Sequence, residues 1–335
     1  MEKPRTAAIG WLLGLFFLGI SYAGAADDLK KVRLAYAGWE VGTAIAYVGI
    51  DGGIFKQYGL EVEEVLVRDP LSAGIQSLMG IDFLLGFGNP LAFLQPISSG
   101  ADIVSLFSHV SMEHYRMAVS PAVLAIRDLK GKKVGVSAIG ERSDLITRVI
   151  LRRAGLDPSK DVEIVSAGFG PNRLAALSKN LIQGAPLLPG SVEQARGLGI
   201  KILDVKEVPL ITAMLMTTRS FIKRDEEAVR RFLKGYLGAI HFYLNHKSES
   251  IAIIRKYFAR ASPASLENMY DSFAAQLEPV PAPNREAAQA LLDVASALNT
   301  KSRNIKPADL FEPRILEELR ASGFIAELYA EKINL

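Results

Sequence analysis

Four short loops carry the side chains that could bind a ligand. They have the sequences AGWE (37–40), GFGNP (86–90), SAIGERS (137–143) and SAGFGPN (166–172). Glycine-rich turns ahead of a helix leave backbone N–H groups exposed, and the helix dipole favours a negative charge there. The pattern predicts a site for a small anion or a polar zwitterion. The candidate contacts are Gly38, Trp39, Glu40, Gly88, Asn89, Ser137, Ile139, Gly140, Arg142, Gly168, Phe169 and Arg173.

The aromatic and charged members of this set indicate how such a ligand would be held. Arg142 and Arg173 lie at the starts of two predicted helices and could pair with a carboxylate or a sulfonate. Trp39 and Phe169 could stack on a planar or apolar part of the ligand, and Glu40 could receive an ammonium group. Each residue also has a purely structural interpretation, as a core aromatic or as a solvated charge.

Residue types and spacings give no support for catalysis or metal binding. The chain has no cysteine, so a thiol nucleophile and a disulfide framework are both excluded. His109 and His114 are five residues apart, as are His241 and His246, whereas two ligands on one helical face need a spacing of four. Metalloprotease, serine-hydrolase and P-loop motifs are missing from the sequence, and GFGNPL lacks the third glycine of a dinucleotide fingerprint. We therefore expect a protein that is not an enzyme, with no catalytic, metal or cofactor site.

A repeating strand–helix pattern positions the loops. Its alternation implies a mainly parallel sheet with helices on both faces, and ligands bind beyond the carboxyl ends of such strands. Asn89 and Pro90 are predicted as the cap and first residue of a helix, which favours a plain N-cap over a ligand contact for Asn89. From Phe221 the chain turns helical, with starts at Asp225, Ser248 and Ser262. Strands are predicted at 32–36, 60–67, 81–87, 133–137, 162–165, 185–188 and 200–205, and helices at 41–48, 71–79, 145–150, 171–179, 284–300 and 312–330.

Composition and the N-terminus indicate export. Residues 1–25 combine a basic start, an apolar run and a small-x-small cleavage site, which is typical of a cleavable signal peptide; a retained anchor is the alternative. Without cysteine the chain cannot accept the lipid of a bacterial lipoprotein, so we expect a periplasmic protein that is not lipid-anchored. The formal net charge is +3 with no basic block, which argues against a nucleic-acid partner.

Three segments carry a resemblance to a known family. They are GIDGGIFKQYGLEVEEVLV (49–67), DLKGKKVGVS (128–137), and VILRRAGLDPSKDVEIV (149–165) followed by TTRSFIKRDEEAVRRFLKGYLGAI (217–240). In this order they resemble the substrate-binding proteins of ABC importers in the nitrate, sulfonate and taurine group, which includes binders of thiamine-pyrimidine precursors.

The resemblance implies the fold and the role. It implies an α/β protein of two lobes, each a mainly parallel sheet flanked by helices, joined by two crossing strands and followed by a helical C-terminal tail. Lobe one would comprise 26–114 plus 215–335 and lobe two 115–214, with crossings at 115–120 and 212–218. The protein would be a monomer that captures a small solute by lobe closure and presents it to a membrane permease.

The resemblance leaves the ligand and two other roles open. The segment NLIQGAPLLPGS lacks the aspartate of the family pattern x-G-x-V-D-A, so ligand chemistry cannot be carried over. An organic sulfonate or carboxylate ranks first and a pyrimidine-like heterocycle second. One alternative is an enzyme on the same fold, similar to the thiamine-pyrimidine synthases or to a dehydratase. Another is a solute-sensing partner of a membrane receptor.

Overall fold

The protein is described here by a computed structural model that covers residues 29–37, 41–67, 80–87, 90–298 and 305–330. In the described ranges, no helix combines the length and the apolar character that crossing a membrane requires. The predictions outside the described residues are the signal peptide (1–25), the helix at 71–79, and the loop residues Gly38, Trp39, Glu40, Gly88 and Asn89.

The described strands form two five-stranded sheets. The first sheet contains β1 (Lys30–Ala37), β2 (Leu60–Val67), β3 (Phe83–Phe87), β4 (Ile103–Glu113) and β10 (Val208–Thr218). The second sheet contains β5 (Arg116–Val119), β6 (Lys133–Val136), β7 (Glu163–Ser166), β8 (Gly184–Leu187) and β9 (Lys201–Asp204).

Each sheet is mainly parallel, as the alternation predicts, and contains an antiparallel strand. The first has the order β2-β1-β3-β10-β4, with β10 antiparallel to both of its neighbours. The second has the order β7-β6-β8-β5-β9, with β5 antiparallel to β8 and β9. The two-lobed α/β fold is confirmed.

The chain passes between the sheets twice, at two neighbouring points. It leaves the first sheet after Glu113 and enters the second at Arg116; it leaves the second after Asp204 and returns at Val208. The crossings predicted at 115–120 and 212–218 lie beside these connections, and the lobe boundaries at 114/115 and 214/215 stay a prediction.

Strand β4 is an element that sequence patterning missed. Its residues are buried along almost the whole strand, yet serines interrupt the apolar run. The Ser105 hydroxyl donates to the Leu215 carbonyl at 3.2 Å and the Ser108 hydroxyl to the Ala213 carbonyl at 2.8 Å. These bonds satisfy buried polar groups beside an irregular β4–β10 register, so serine is stable in a position where patterning expects an apolar residue.

The described α-helices cover both sheets. The last seven, from Arg219 onward, form the predicted helical tail. Gly323 separates the last two helices where one was predicted at 312–330. The helices are α1 (Ala44–Asp51), α2 (Ile54–Gln57), α3 (Leu91–Ser98), α4 (Arg142–Arg153), α5 (Gly170–Ser178), α6 (Val192–Gly197), α7 (Arg219–Arg224), α8 (Glu226–Asn245), α9 (Lys247–Tyr257), α10 (Pro263–Ala274), α11 (Arg285–Ala297), α12 (Arg314–Ala321) and α13 (Phe324–Ala330). Short 3-10 helices occupy Val41–Thr43, Ile126–Leu129, Pro189–Ser191 and Pro307–Leu310.

Helix α8 is the central element of the first lobe's core. The Asp225 side chain caps it by accepting from the Ala228 N–H at 3.2 Å, as the sequence predicts. The ring of Phe232 stacks on Phe83 of β3, with 3.8 Å between centroids, and on Phe55 of α2 at 4.9 Å. This aromatic stack connects sheet, early helix and tail helix, so the tail is part of the core.

The glycines of the 49–67 segment serve this packing. Gly53 and Gly59 have φ of +69° and +73°, the left-handed region that favours glycine, and they end α1 and lead the chain into β2. A Cβ on Gly49 would lie 2.4 Å from the ring of Phe55. These three glycines therefore serve the turns and the packing of the fold.

We expect Phe232→Ala to lower the free energy of unfolding by about 3–5 kcal/mol, because the side chain is fully buried and its removal leaves a cavity. Urea unfolding measures the loss. Leu66→Ala, at a half-exposed position of β2, is the control and should change stability by less than about 1 kcal/mol. Equal losses in the two variants would contradict the central place of α8.

His109 makes stability depend on pH. Burial lowers its pKa from 6.5 to about 3, and its Nε2 lies 2.6 Å from the Tyr236 hydroxyl. The unfolded chain binds a proton at this residue below pH 6.5 and the folded chain does not. The free energy of unfolding should therefore fall as pH drops from 6.5 towards 3, by up to about 1.4 kcal/mol per pH unit.

Urea unfolding across this pH range measures the slope. His109→Gln should lack this part of it, whereas Tyr236→Phe, which keeps the histidine, should retain it. A slope unchanged by His109→Gln would mean that other groups carry the acid sensitivity.

Candidate functional site

Three of the loops beyond sheet two lie at one edge of it. β6 runs parallel to both β7 and β8, so their carboxyl ends share that edge. The loops that follow are 137–141, 167–169 and 188–191, each leading into a helix. Two of them are the predicted binding loops of the second lobe.

The loop 137–141 is closed by its own hydrogen bonds. The Ser137 N–H donates to the Ser143 hydroxyl at 2.7 Å, and the Gly140 N–H donates to Asp144 Oδ2 at 2.8 Å. Gly140 has φ +84°. These two predicted N–H donors are therefore occupied by side chains at the start of α4. Ile139 and Glu141 are the exposed members of the loop.

Arg142 is held by a buried carboxylate. Its Nε donates to Glu113 Oε1 at 2.8 Å and its Nη2 to Glu113 Oε2 at 2.6 Å, while Nη2 also donates to Gln276 Oε1 at 3.0 Å. Its guanidinium lies 5.9 Å from the centroid of the Tyr115 ring. This residue, predicted to pair with a ligand anion, thus joins lobe two to the end of β4 and to the segment after α10.

Arg173 has different surroundings. It lies in the first turn of α5, and its side chain is buried, with 7% of the residue exposed. In the described ranges, its Nε and Nη1 have no hydrogen-bond partner. Burial lowers the pKa of this guanidinium, and the nearby Tyr115 opposes that effect. Because a buried charge without a partner is costly, the surroundings of Arg173 favour an anion.

Phe169 occupies the N-cap position of α5 and is 77% exposed. The preceding Gly168 has φ +74°, so the turn that presents the ring requires a left-handed residue. A Cβ on Gly170 would lie 3.6 Å from the Ser191 hydroxyl, which brings the third loop beside α5. The ring is thus held on an ordered turn rather than filling the core.

A cavity of about 380 Å³ lies between the two lobes, and its lining does not include Arg173 or Phe169. It is connected to the site through Ser191, which lies beside Gly170, and through Gln276. Its charged lining residues are paired: Arg116 Nε lies 2.8 Å from Asp204 Oδ1, and His114 Nδ1 lies 3.2 Å from Glu207 Oε1. Gln276 connects the cavity to Arg142. The lining residues are His114, Arg116, Leu188, Pro189, Gly190, Ser191, Ser272, Ala275 and Gln276.

Sequence reasoning missed Glu113, Tyr115, Gln276 and the loop 188–191. The loop had a usable signal, because Pro189 and Gly190 follow a strand and precede a helix as in the other binding loops. The segment without the family aspartate, residues 180–191, contains β8. Leu187, the last residue of this strand, is buried. Gln276 has no local signal, since only tertiary packing brings α10 to the cleft.

No group of three acidic or histidine side chains in the described ranges is arranged to hold a metal ion. His109 is buried against Tyr236 and His114 pairs with Glu207, so these two histidines have structural partners.

Comparisons with known proteins agree with this architecture. A family model described as "NMT1/THI5 like" matches residues 41–250. YtlA of Bacillus subtilis (strain 168), which is named as a binding protein, is 23% identical over 278 residues, covering 79% of this chain and 82% of YtlA.

Two solved structures share the fold. The periplasmic aliphatic sulphonate binding protein SsuA from Escherichia coli has a TM-score of 0.62 and 18% identity, over 84% of this chain and 98% of SsuA. The periplasmic sulfonate-binding protein SsuA from Methylobacillus flagellatus KT has a TM-score of 0.67 and 21% identity, over 89% of this chain and 97% of that protein. The resemblance indicated by the sequence is confirmed: the chain belongs to the NMT1/THI5-like family and has the two-lobed fold of the periplasmic binding proteins.

Proposed function

We propose that this protein is the solute-binding component of an ABC-type importer and captures a small organic anion or zwitterion between its lobes. The observation that carries the proposal is Arg173, a buried cation with two donor nitrogens that have no partner in the described ranges. The family match and the names of the similar proteins support a binding role.

The charges around the cavity favour an anion. Arg142 is compensated by Glu113, and Arg116 by Asp204. Arg173 has no ion pair in the described part of the chain, so a carboxylate or sulfonate could accept a charge-assisted hydrogen bond from its Nε or its Nη1. The ligand would then supply the charge that the buried guanidinium lacks.

The size and the apolar surface favour an organic molecule. A volume of about 380 Å³ lies within the usual range for small-molecule pockets. The exposed ring of Phe169 could stack on a planar or aliphatic part of the ligand, and Leu188 contributes an apolar wall. An organic sulfonate or carboxylate therefore ranks first and a pyrimidine-like heterocycle second.

Transport would follow from closure of the two lobes on the solute. A solute can stabilise the closed state only by its differential affinity for that state, and contacts from both lobes supply such a difference. The proposed partner is a membrane permease and the proposed compartment is the periplasm. The lobe ranges 26–114 with 215–335, and 115–214, belong to the same proposal.

A thermal-shift screen of the purified protein against sulfonates, taurine, carboxylates, nitrate, amino acids and pyrimidines tests the proposal. A ligand at about a hundred times its dissociation constant adds about 2.7 kcal/mol and raises the melting temperature by a few degrees. A shift confined to organic anions, with the compound recovered unaltered, is the expected result. A compound that is converted would establish an enzyme, and shifts restricted to the uncharged pyrimidines would refute the anion site.

Arg173→Gln should weaken binding of the identified ligand by at least about tenfold, because it removes a charge-assisted hydrogen bond. Isothermal titration calorimetry measures the change. Arg196→Gln, at an exposed arginine paired with Glu193, is the matched control and should bind as the wild type does. An unchanged affinity in Arg173→Gln would remove Arg173 from the site.

Phe169→Ala should lower affinity by about three- to tenfold, the range expected when one aromatic contact is lost, and should leave the free energy of unfolding within about 0.5 kcal/mol. Calorimetry and urea unfolding on the same sample separate the two effects. Loss of stability with unchanged affinity would show that the ring packs against the protein instead of the ligand.

A further inference from the structure

Three exposed leucines lie on lobe two at the end remote from the cavity. Leu124 is 70% exposed, Leu181 63% and Leu198 55%. We call these three residues the distal leucine patch. Single exposed leucines are ordinary on protein surfaces, but several at one edge of a sheet are typical of an interaction surface.

Strand pairing brings the three residues to the same edge. Val119, at the end of β5, pairs with Gly184 and with Lys201, the first residues of β8 and β9. Leu124 follows Val119 by five residues, and Leu181 and Leu198 each precede their strand by three. Neighbouring strands are about 4.8 Å apart, so the loops cluster over a span of about 10 Å along the sheet edge.

The backbone presents these side chains on ordered turns. The Leu124 N–H donates to Asp128 Oδ2 at 2.9 Å, the Leu181 N–H to the Ala176 carbonyl at 2.9 Å, and the Leu198 N–H to the Ala195 carbonyl at 3.1 Å. Each leucine is therefore held outward at a defined position.

Basic side chains surround the distal leucine patch. Lys179 lies two residues before Leu181, and Lys201 three residues after Leu198. Arg127 and Lys201 both interact electrostatically with Asp128. The Asp128 carboxylate accepts hydrogen bonds from the backbone N–H groups of Leu124 and Ala125. Lys132 directly precedes β6, which pairs with β8. Lys130 and Lys133 pair with Asp161 and Glu163. The remaining cations, Arg127, Lys132, Lys179 and Lys201, outnumber the single carboxylate of Asp128.

We propose that the distal leucine patch and its basic neighbours bind the surface of a bilayer containing anionic lipids. Leucines on separate turns can each enter the headgroup boundary, and each lysine or arginine near an anionic surface adds electrostatic attraction to it. A second copy of this chain docked through the same patch would place like charges opposite each other, which disfavours it. Because the patch lies remote from the cavity, membrane binding is independent of any solute there.

Vesicle co-sedimentation with the full chain tests the proposal, using phosphatidylglycerol–phosphatidylcholine vesicles against phosphatidylcholine alone. We expect binding to the anionic vesicles that weakens at high salt. The triple variant Leu124→Ser, Leu181→Ser, Leu198→Ser should reduce the bound fraction at least about fivefold. Leu66→Ser, at a half-exposed leucine of the first lobe, is the matched control and should bind as the wild type does.

Residues 1–28 are identical in all these proteins, so any contribution from them is shared and the comparison reports the patch alone. Circular dichroism of the triple variant checks that it is folded. Equal binding of the wild type and the triple variant would overturn the proposal. Size-exclusion chromatography with light scattering would also overturn it if the wild type dimerised and the triple variant did not, since the patch would then be an interface between copies.

Discussion

The antiparallel pairing of β4 with β10 is the constraint on which the two-lobed arrangement depends. Glu113, the last residue of β4, pairs with Val208, the first residue of β10, and on the other side Arg116 pairs with Asp204. Both connections between the sheets are therefore very short and lie next to each other. The two lobes therefore meet along the two connections, and the carboxyl edge of sheet two lies next to them.

Two buried charged residues near this junction, Glu113 and Arg173, differ in whether another side chain compensates their charge in the described ranges. Glu113 is fully buried, and its bidentate contact with Arg142 provides the partner that a carboxylate needs away from water. Arg173, one helix away, is buried without such a partner in the described ranges. Two arginines that look equivalent in sequence, each near the start of a helix after a glycine-containing loop, thus differ in chemistry. One fastens lobe two to the strand junction, and the other is the residue that we propose as a ligand contact.

The helical tail belongs to the architecture rather than to a separate unit. Helix α8 places Phe232 against β3 and α2, and a surface network of ion pairs fastens the later helices to it. Arg314 contacts Glu226 at 2.6 Å and Glu318 at 2.9 Å, which connects α12 to α8. Segment 272–276 at the end of α10 then reaches the cavity, so the tail supplies lining residues to the cleft.

The sequence by itself determined the local elements and the class of fold. Periodicity, caps and glycines located β1, β2, α5 and the start of α8 within one or two residues, because these signals depend on neighbours along the chain. It also directed attention to Arg173 and Phe169. Only the tertiary structure decided which arginine is paired, since Glu113 and Gln276 are distant from Arg142 in sequence. It likewise decided that β4 is a strand, because its serines are satisfied by carbonyls about a hundred residues away. Local patterns do not encode pairing between residues that are distant in sequence, so only the tertiary structure shows these contacts.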